Sequence, residues 1–472
     1  MKEKQLFKRM GKIAVSFLLI ASLILPSSIY GSEIPEDVSE ANVAVGVEEP
    51  SDTVGEMEEP QMEEPEAEEF EAEESEAEES ETEEAETEES DDEETLEKRK
   101  RSKRTHRNRK NYVIMARKQQ DINEIQQEHA TVVEETQLEE LVQDDTIVVE
   151  LTGSEADEID MNPDVIVEED FIFKGSTEEE TATIENVDQW NLNSMNVVED
   201  TEATDVIKIA IIDSGIDYSD SVYVEESISL TPDEINCHNP LFTDSNGHGT
   251  AMAGIIAANG QNGVLGVNPN AIIYSVKVLD EDNRAPLSRI VDGIYWAIEK
   301  QVDIINLSFG SNTFSEILQQ TVKDAEDAGI MVVASSGNNS HTQVQYPAAY
   351  DEVIAVGSIN PEGEVAEHTS VGEELELLAP GEHILTNGLY SGVIGTSGTS
   401  IAAAQVTGLV SLIKARDNTK SNGFVRELVK ASAKPVEVDE DIVAGVVDHG
   451  FALEIYDEFA RVYTECDDVD LA

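Results

Sequence analysis

Residues 302–335 read VDIINLSFGSNTFSEILQQTVKDAEDAGIMVVAS and carry the pattern that decides the fold. The apolar runs Val302–Leu307 and Ile330–Ala334 are short and bounded by polar residues, which is typical of buried strands. Between them, Ser315–Ala328 has its apolar residues at helical spacing. A strand, a helix and a second strand in this order indicate a parallel strand pair joined by a crossover helix.

The same alternation extends to both sides of this stretch. Further apolar strands are predicted at Lys208–Asp213 (KIAIID), Ala271–Leu279 (AIIYSVKVL) and Val353–Val356, with an amphipathic helix at Leu287–Lys300. The pattern predicts an α/β fold with a doubly wound, mostly parallel sheet and helices on both faces. In such sheets, functional groups collect at the carboxyl ends of the strands.

Charge is distributed very unevenly along the 472 residues, whose formal net charge is −71. Residues 33–97 contain 32 acidic residues and no basic one, whereas residues 98–110 contain nine basic residues and no acidic one. Such an acidic chain is a poor general nucleic-acid binder. Two cysteines, Cys237 and Cys466, exclude a disulfide scaffold or a Cys-rich metal module and leave their own pairing open.

The N-terminal part contains targeting and processing features. Basic residues precede the short apolar run Ile13–Leu25, which predicts a secretory signal peptide, although an uncleaved signal anchor stays open. The Glu-rich repeat lacks the apolar side chains needed to fold. The predicted organisation is a signal peptide at 1–31, a disordered Glu-rich segment at 32–97, a basic linker at 98–110, a small domain at 111–175 and a large domain at 176–472.

The small domain has the element pattern of a compact α+β unit. Strands are predicted at Tyr112–Ala116, Thr146–Leu151 and Asp164–Phe173, with helices at Asp121–His129 and Ser154–Met161. A β-α-β-β-α-β unit of the ferredoxin-like type fits this length.

Three polar residues stand at expected strand or helix ends in the large domain. They are Asp213 in IAIIDSGID, His248 in NGHGTAMAG and Ser400 in GTSGTSIAAAQVTG. Each alone has an ordinary interpretation as a turn or capping residue. Together they supply a nucleophile, its base and the carboxylate that orients the base, in one of the known chain orders of the Ser-His-Asp triad.

Residues from about Gln189 to Phe459 resemble the subtilisin-like serine peptidase family. The resemblance is carried by the three motifs above and, in the family's order, by GVLGVNPNAIIYSVKVL, DIINLSFG and VVASSGNNS between them. Residues 111–175, which end in NPDVIVEEDFIF, resemble the family's inhibitory propeptide.

The resemblance implies a role for each matching residue. Ser400 would be the nucleophile, His248 the general base and then acid, and Asp213 the residue that orients the imidazole. Asn338 in SSGNNS matches the oxyanion-hole asparagine; without the resemblance it would be interpreted as a turn residue. Ser397 is a competing nucleophile, because the tripeptide GTS occurs twice, but the matching helix begins directly after Ser400.

The resemblance also implies where a substrate lies. Ser308, Phe309 and Gly310 match the segment on which a peptide pairs as an added strand. Gln345 and Asn339 fall where the pocket for the P1 side chain would be lined, so a preference for large hydrophobic P1 residues does not follow.

No metal or cofactor is predicted. The loop Ala258–Gly263 (ANGQNG) is shorter than in calcium-binding relatives and the usual ligands do not align, which counts against structural calcium at this site but leaves it open.

Two classes of function follow from these observations. The first is a secreted serine endopeptidase made as a zymogen, with protein or peptide substrates and its own propeptide as an intramolecular inhibitor; a narrower form of it processes one dedicated precursor. The second is a catalytically silent relative that binds peptides at the cell surface. Contact with a membrane is expected only if the signal segment is not cleaved.

Overall fold

A computed structural model shows how the chain folds. It describes residues 109–117, 121–122, 125–126, 146–175, 178–180, 189–217, 219–231, 244–340, 342–439 and 442–469, which belong to one compact unit within Lys100–Ala472. The predicted signal peptide, the Glu-rich segment, most of the basic linker and Cys237 lie outside the described residues. Within the described ranges, no helix combines the length and the apolar character that crossing a membrane requires.

The first folded part is a small antiparallel sheet with one helix against it. Strand β1 (Arg109–Ala116) lies between β2 (Thr146–Thr152) and β3 (Val165–Glu169), and α1 (Gly153–Asp160) follows β2. β1 begins inside the stretch predicted as the basic linker. The fourth strand of a ferredoxin-like unit is not among the described residues.

Strand β1 separates two cores by the alternation of its side chains. Ile114 and Ala116 are buried against α1 in the small unit's own core. Val113 and Met115 point to the opposite face and join one of the cores of the large sheet. The small unit is therefore fixed to the rest of the molecule by apolar burial.

The prediction of one strand over Asp164–Phe173 is wrong. The chain leaves the small sheet after β3, and a separate strand β4 (Ile172–Gly175) is followed by β5 (Glu178–Glu180). Phe173 is fully buried, with its ring 6.1 Å from the ring of Phe309 in the large core. Burial against the large domain outweighs the local strand pattern, which cannot show which sheet a strand joins.

The large domain is built on a sheet in which the described strands number nine. The strands of the domain are β6 (Lys208–Asp213), β7 (Val224–Ser229), β8 (Ile272–Lys277), β9 (Arg284–Pro286), β10 (Ile304–Leu307), β11 (Phe309–Gly310), β12 (Met331–Ser335), β13 (Val353–Ile359), β14 (Leu377–Pro380), β15 (Ile384–Asn387), β16 (Val393–Ser397), β17 (Lys434–Asp439) and β18 (Ile442–Val446). The order of the nine strands in the sheet is β17-β18-β14-β13-β12-β10-β6-β8-β7, and every pair is parallel except β17 with β18.

Helices cover both faces of this sheet. They are α2 (Trp190–Ser194), α3 (His248–Ala257), α4 (Leu287–Glu299), α5 (Glu316–Asp327), α6 (Thr399–Arg416), α7 (Asn422–Ser432) and α8 (His449–Val469). Side chains of α3, α6, α7 and α8 form one core with Ile209 and Ile211 of β6, and those of α4 and α5 form the other with Ala210 and Ile212. The predicted doubly wound α/β fold is confirmed, and the unbroken apolar strands reflect burial on both faces.

Two carboxylates of the small unit cap helices of the large domain. Glu168 accepts hydrogen bonds from Ser315 Oγ (2.5 Å) and Glu316 N (2.7 Å) at the start of α5. Asp170 accepts from Ser288 N and Ser288 Oγ, both at 2.9 Å, at the start of α4. A negative charge at a helix N-terminus satisfies unpaired N–H groups and is favoured by the helix dipole.

Near this contact, α4 carries a buried acid. Burial and, to a smaller extent, the neighbouring charge of Asp170 raise the pKa of Asp292 to about 7, and Arg289 opposes the shift. Asp292 lies one helical turn beyond Ser288, on the side that Asp170 caps. The folded protein therefore holds a proton on Asp292 at a pH where an unfolded chain would have released it.

Asp292→Asn should remove part of the pH dependence of stability. Because the folded pKa lies above the unfolded value, the contribution of Asp292 is present below about pH 4 and is lost as pH rises to about 7. In a Ser400→Ala background, which removes the expected nucleophile, the parent should lose stability relative to the Asn variant by on the order of 1 kcal/mol per pH unit in this window. Urea unfolding at several pH values measures the difference.

The matched control is Asp282→Asn, which changes an exposed carboxylate in the same region. A constant difference between the Asp292→Asn variant and its parent from pH 4 to pH 8 would contradict the assignment.

Candidate active site

Asp213 and His248 meet at the carboxyl end of β6. Asp213 is the last residue of that strand and His248 the first of α3, and Oδ1 of Asp213 lies 2.6 Å from Nδ1 of His248. Both side chains are buried, at 0% and 1% exposure, and Ser214 N donates a second hydrogen bond to the same oxygen at 2.7 Å. A carboxylate at Nδ1 keeps a proton on that nitrogen, so that Nε2 is the atom suited to act as a base.

Glycines allow this close approach. A Cβ on Gly249 would lie 2.1 Å from the carbonyl oxygen of Gly215 and 3.2 Å from Cβ of Asp213. Gly247 has a φ of +97°, in the left-handed region that favours glycine. The two glycines that flank His248 are thus explained by the geometry of the strand end and the helix start.

Asp244 organises the loop before His248, and sequence reasoning missed it. Its carboxylate accepts hydrogen bonds from Ser214 Oγ (2.9 Å), Gly247 N (2.8 Å), Thr250 N (2.9 Å) and Thr250 Oγ1 (2.5 Å). Burial raises its pKa, and these hydrogen bonds act in the opposite direction. The signal was present in DSNGHGT, because an Asp that opens a turn commonly accepts hydrogen bonds from backbone N–H groups a few residues further on.

Ser400 is the second residue of α6, the helix that packs against α3. Its side chain is fully buried and its Oγ donates to the carbonyl oxygen of Ser308 at 3.0 Å. The N-terminus of a helix favours negative charge, which suits a residue beside which an oxyanion develops. The helix predicted to begin directly after Ser400 is present, and it starts earlier, at Thr399.

Asn338 is held next to Ser400 through Thr399. Its Oδ1 accepts hydrogen bonds from Thr399 N at 3.0 Å and Thr399 Oγ1 at 2.8 Å, and Gly337 N donates to Thr399 Oγ1 at 3.1 Å. Since Oδ1 is the acceptor in both bonds, the amide NH₂ is the end that can donate to an oxyanion.

The segment Ser308–Gly310 lies beside Ser400 and already pairs with a strand of this chain. Ser308 Oγ accepts from Asn306 Nδ2 at 2.9 Å and is 3.4 Å from the carbonyl oxygen of Ser400, which it contacts as donor. β11 pairs antiparallel with β4, and β4 pairs antiparallel with β9 on its other side. The end of the small unit is therefore the middle strand between two segments of the large domain.

A second strand of the same segment pairs with the strand that precedes α6 and Ser400. β5 pairs antiparallel with β16, with Glu178 opposite Ser397, three residues before Ser400. Gly175, which ends β4, and Glu178, which begins β5, are joined by Ser176 and Thr177, both outside the described residues. The chain thus adds one strand to Phe309–Gly310, directly after Ser308, and another to the strand that ends three residues before the candidate nucleophile.

Ser397, the competing nucleophile, lies in β16 and has a different environment. Its Oγ accepts a hydrogen bond from His383 N at 3.0 Å, and its backbone belongs to the pairing with β5. These contacts suit a structural residue at the edge of the site.

Of the two residues predicted near the P1 pocket, the structure brings one into the site. Gln345 is half-buried and its side chain lies against Gly310 and Gly337. Asn339 is exposed, and its backbone N donates to Ser370 Oγ at 3.2 Å.

The donor set of the loop at Ala258–Gly263 does not fit calcium. Asn259 Oδ1 accepts from Gln261 N at 3.1 Å and Asn262 Oδ1 accepts from Val264 N at 3.2 Å, so both amide oxygens are already used. Calcium takes six to eight oxygen ligands, often carboxylates, and this loop has none. Within the described ranges, there is no group of three or more His, Cys, Asp or Glu residues that could hold a metal ion. That the protein needs no metal stays a prediction.

Comparisons of the sequence with known proteins agree with this interpretation of the site. A sequence profile described as the Subtilase family aligns with residues 204–451, more than half of the chain, and covers the four candidate catalytic positions. The chain belongs to the subtilase family. This subtilase is 36% identical over 284 residues to the minor extracellular protease Epr of Bacillus subtilis strain 168, covering 57% of this chain and 43% of that protein.

Two other relatives have a similar sequence identity over a somewhat shorter alignment. The thermostable alkaline protease of Halalkalibacterium halodurans is 38% identical over 229 residues, covering 48% of this chain and 62% of the relative. Subtilisin of Bacillus pumilus is 41% identical over 234 residues, covering 48% of this chain and 83% of the relative. The chain thus spans less than two thirds of the first two relatives.

A fluorophosphonate should label this subtilase at Ser400. Once residues 109–175 are removed, Ser400→Ala should abolish labelling, and Ser397→Ala should leave it intact because that hydroxyl is bonded to His383 N. Asp213→Asn should slow labelling by on the order of 10³–10⁴, since the amide favours the wrong imidazole tautomer. Mass spectrometry of the labelled peptide identifies the serine. A label on Ser397 in the parent protein would contradict the assignment.

Proposed function

We propose that this subtilase is a serine endopeptidase made as a zymogen. Ser400 Oγ attacks the carbonyl carbon of the scissile peptide bond while His248 takes its proton, and Asp213 holds the imidazole in the required tautomer. The Asn338 amide and the Ser400 N–H bind the oxyanion. His248 then gives the proton to the leaving amine, and water hydrolyses the acyl-enzyme by the reverse sequence of proton transfers.

The observation that carries the proposal is the path of the chain through its own site. β4 pairs with β9 and β11, and β5 pairs with β16, so one peptide adds strands to the segment after Ser308, whose carbonyl bonds Ser400 Oγ, and to the strand before Ser400. This is how a peptide substrate binds when it adds a strand to an existing edge. We infer that residues 111–175 are an inhibitory propeptide whose C-terminal end fills the cleft until it is cut.

The proposed location is outside the cell. The predicted signal peptide supports export, and one relative bears the name extracellular protease. Substrates would be proteins or peptides, and the alternative of a catalytically silent peptide binder has no observation in its favour, because all four candidate catalytic residues are present. A peptide-library cleavage profile separates general degradation from dedicated processing of one precursor.

The purified full-length chain should cleave itself between Gly175 and Glu178. Three peptide bonds join these residues, which end β4 and begin β5, the two strands that pair with segments next to Ser400 in the site or in the sequence. Intact-mass measurement and N-terminal sequencing should find a new N-terminus at residue 176, 177 or 178. Ser400→Ala should stay full-length under the same conditions.

The matched control is Ser397→Ala, which should process normally. Normal maturation of the purified Ser400→Ala variant in isolation would show that autoprocessing is wrong, and a new N-terminus outside 176–178 would show that the flanking strands do not mark the cleavage site.

A further inference from the structure

Asn306 of β10 is a polar residue in an apolar part of the core. Its side chain is fully buried, and its neighbours in the sheet are Val333 of β12 and Ile211 of β6, which are buried too. Ile304, two residues earlier and therefore on the same face, belongs to the core that includes α6. Replacing a buried polar group by an apolar one of similar shape is often neutral or stabilising. Stability alone therefore gives no reason for an amide at this position.

Both ends of the Asn306 amide have a hydrogen-bond partner. Thr407 Oγ1 of α6 donates to Asn306 Oδ1 at 2.8 Å, and Asn306 Nδ2 donates to Ser308 Oγ at 2.9 Å. The Ser308 hydroxyl, which has accepted this bond, contacts the carbonyl oxygen of Ser400 at 3.4 Å as donor. We call Thr407, Asn306 and the Ser308 hydroxyl the buried network. Its members are fully buried, and hydrogen bonds in series strengthen one another in such surroundings.

The buried network ends on a reciprocal contact between Ser308 and Ser400. The hydroxyl of Ser400 donates to the carbonyl oxygen of Ser308 at 3.0 Å, and the hydroxyl of Ser308 contacts the carbonyl oxygen of Ser400. The two bonds hold the end of β10 against the first turn of α6. Because Asn306 fixes the direction of the Ser308 hydroxyl, it supports this contact and, with it, the position of Ser400 Oγ. A displacement of about 1 Å at a reacting atom can cost about 100-fold in rate.

Asn306 and Thr407 lie behind the site, away from the segment on which a peptide pairs. Thr407 is seven residues, about two helical turns, after Ser400. The strand that pairs as a peptide would, β4, contacts β11 and β9. The buried network thus reaches the reacting group through Ser308, and it does so from the core side of the sheet.

We propose that Asn306 and Thr407 are positioning residues for the nucleophile, which act through the Ser308 hydroxyl to hold Ser400 Oγ where it can attack the scissile carbonyl. The inference rests on the proposed endopeptidase activity and concerns its first chemical step. Since the substrate pairs with β11, loss of the buried network should lower kcat and leave KM nearly unchanged.

The test uses the processed enzyme, the substrate succinyl-Phe-Lys-Gly-Ser-p-nitroanilide, which copies residues 173–176, and a fluorophosphonate. Asn306→Leu keeps the approximate shape and removes both polar atoms. It should lower kcat and the labelling rate by about tenfold or more and change KM by less than about threefold. Thr407→Val should cause a smaller loss, because Asn306 Nδ2 can still donate to Ser308.

The double variant separates positioning from a general effect on the core. If Thr407 acts through Asn306, adding Thr407→Val to Asn306→Leu should cause no further loss of kcat. Thr407→Ser, which keeps the hydroxyl, should lose less activity than Thr407→Val, and this comparison decides the matter if Asn306→Leu does not fold. Ile304→Val is the matched control, because it removes a buried methylene from the same strand and face. It should lower the midpoint of urea unfolding and leave kcat unchanged.

Several results would overturn the inference. They are an unchanged kcat in both Asn306→Leu and Thr407→Val, a rise in KM in place of the fall in kcat, additive losses in the double variant, equal losses in Thr407→Ser and Thr407→Val, and a loss in Ile304→Val as large as that in Thr407→Val. A parent enzyme that cleaves no peptide and takes no fluorophosphonate label would instead overturn the proposed function.

Discussion

Parallel pairing in the middle of the large sheet is the constraint on which the site depends. β10 pairs with β6 on one side and β12 on the other, all three in the same direction. Their carboxyl ends therefore meet at one edge, which carries Asp213 at the end of β6, Ser308 directly after β10 and Asn338 three residues after β12, although these residues are far apart in the sequence. Any arrangement that reversed one of these strands would move one of these groups to the opposite edge.

The remaining two groups come from helices that start at this edge. α3 and α6 pack against each other and against the sheet, so the first turn of each lies near the strand ends. His248 and Ser400 are the first and second residues of these helices. Burial of the helices fixes the positions of both groups, and the exposed surface contributes little to this geometry.

The sequence predicted most of this site because the signals for it are local. A strand followed by Asp-Ser-Gly, and a glycine-flanked histidine or serine before an apolar helix, are each recognisable within about ten residues. Asp244 was not predicted because an acid in a polar loop has the same composition as a surface turn, and only the fold shows that its carboxylate accepts hydrogen bonds from Ser214 and Thr250. The break between β3 and β4 was not predicted for a related reason. An apolar run of strand type does not show which sheet the strand joins. The position of the Gln345 side chain depends on two glycines that are distant in the sequence, so no local pattern reveals it.

The helix caps that Glu168 and Asp170 provide make the starts of α5 and α4 depend on the small unit. Helix α4 begins after Pro286, which offers no side-chain acceptor, and its first turn contains no acidic residue. Asp170 supplies the hydrogen-bond acceptors at its N-terminus, and this residue belongs to a segment that we infer is later removed. Removal of that segment, as proposed above, would leave the backbone N–H and hydroxyl of Ser288 to bond to water, so we expect the start of α4 to be less stable in the shortened chain.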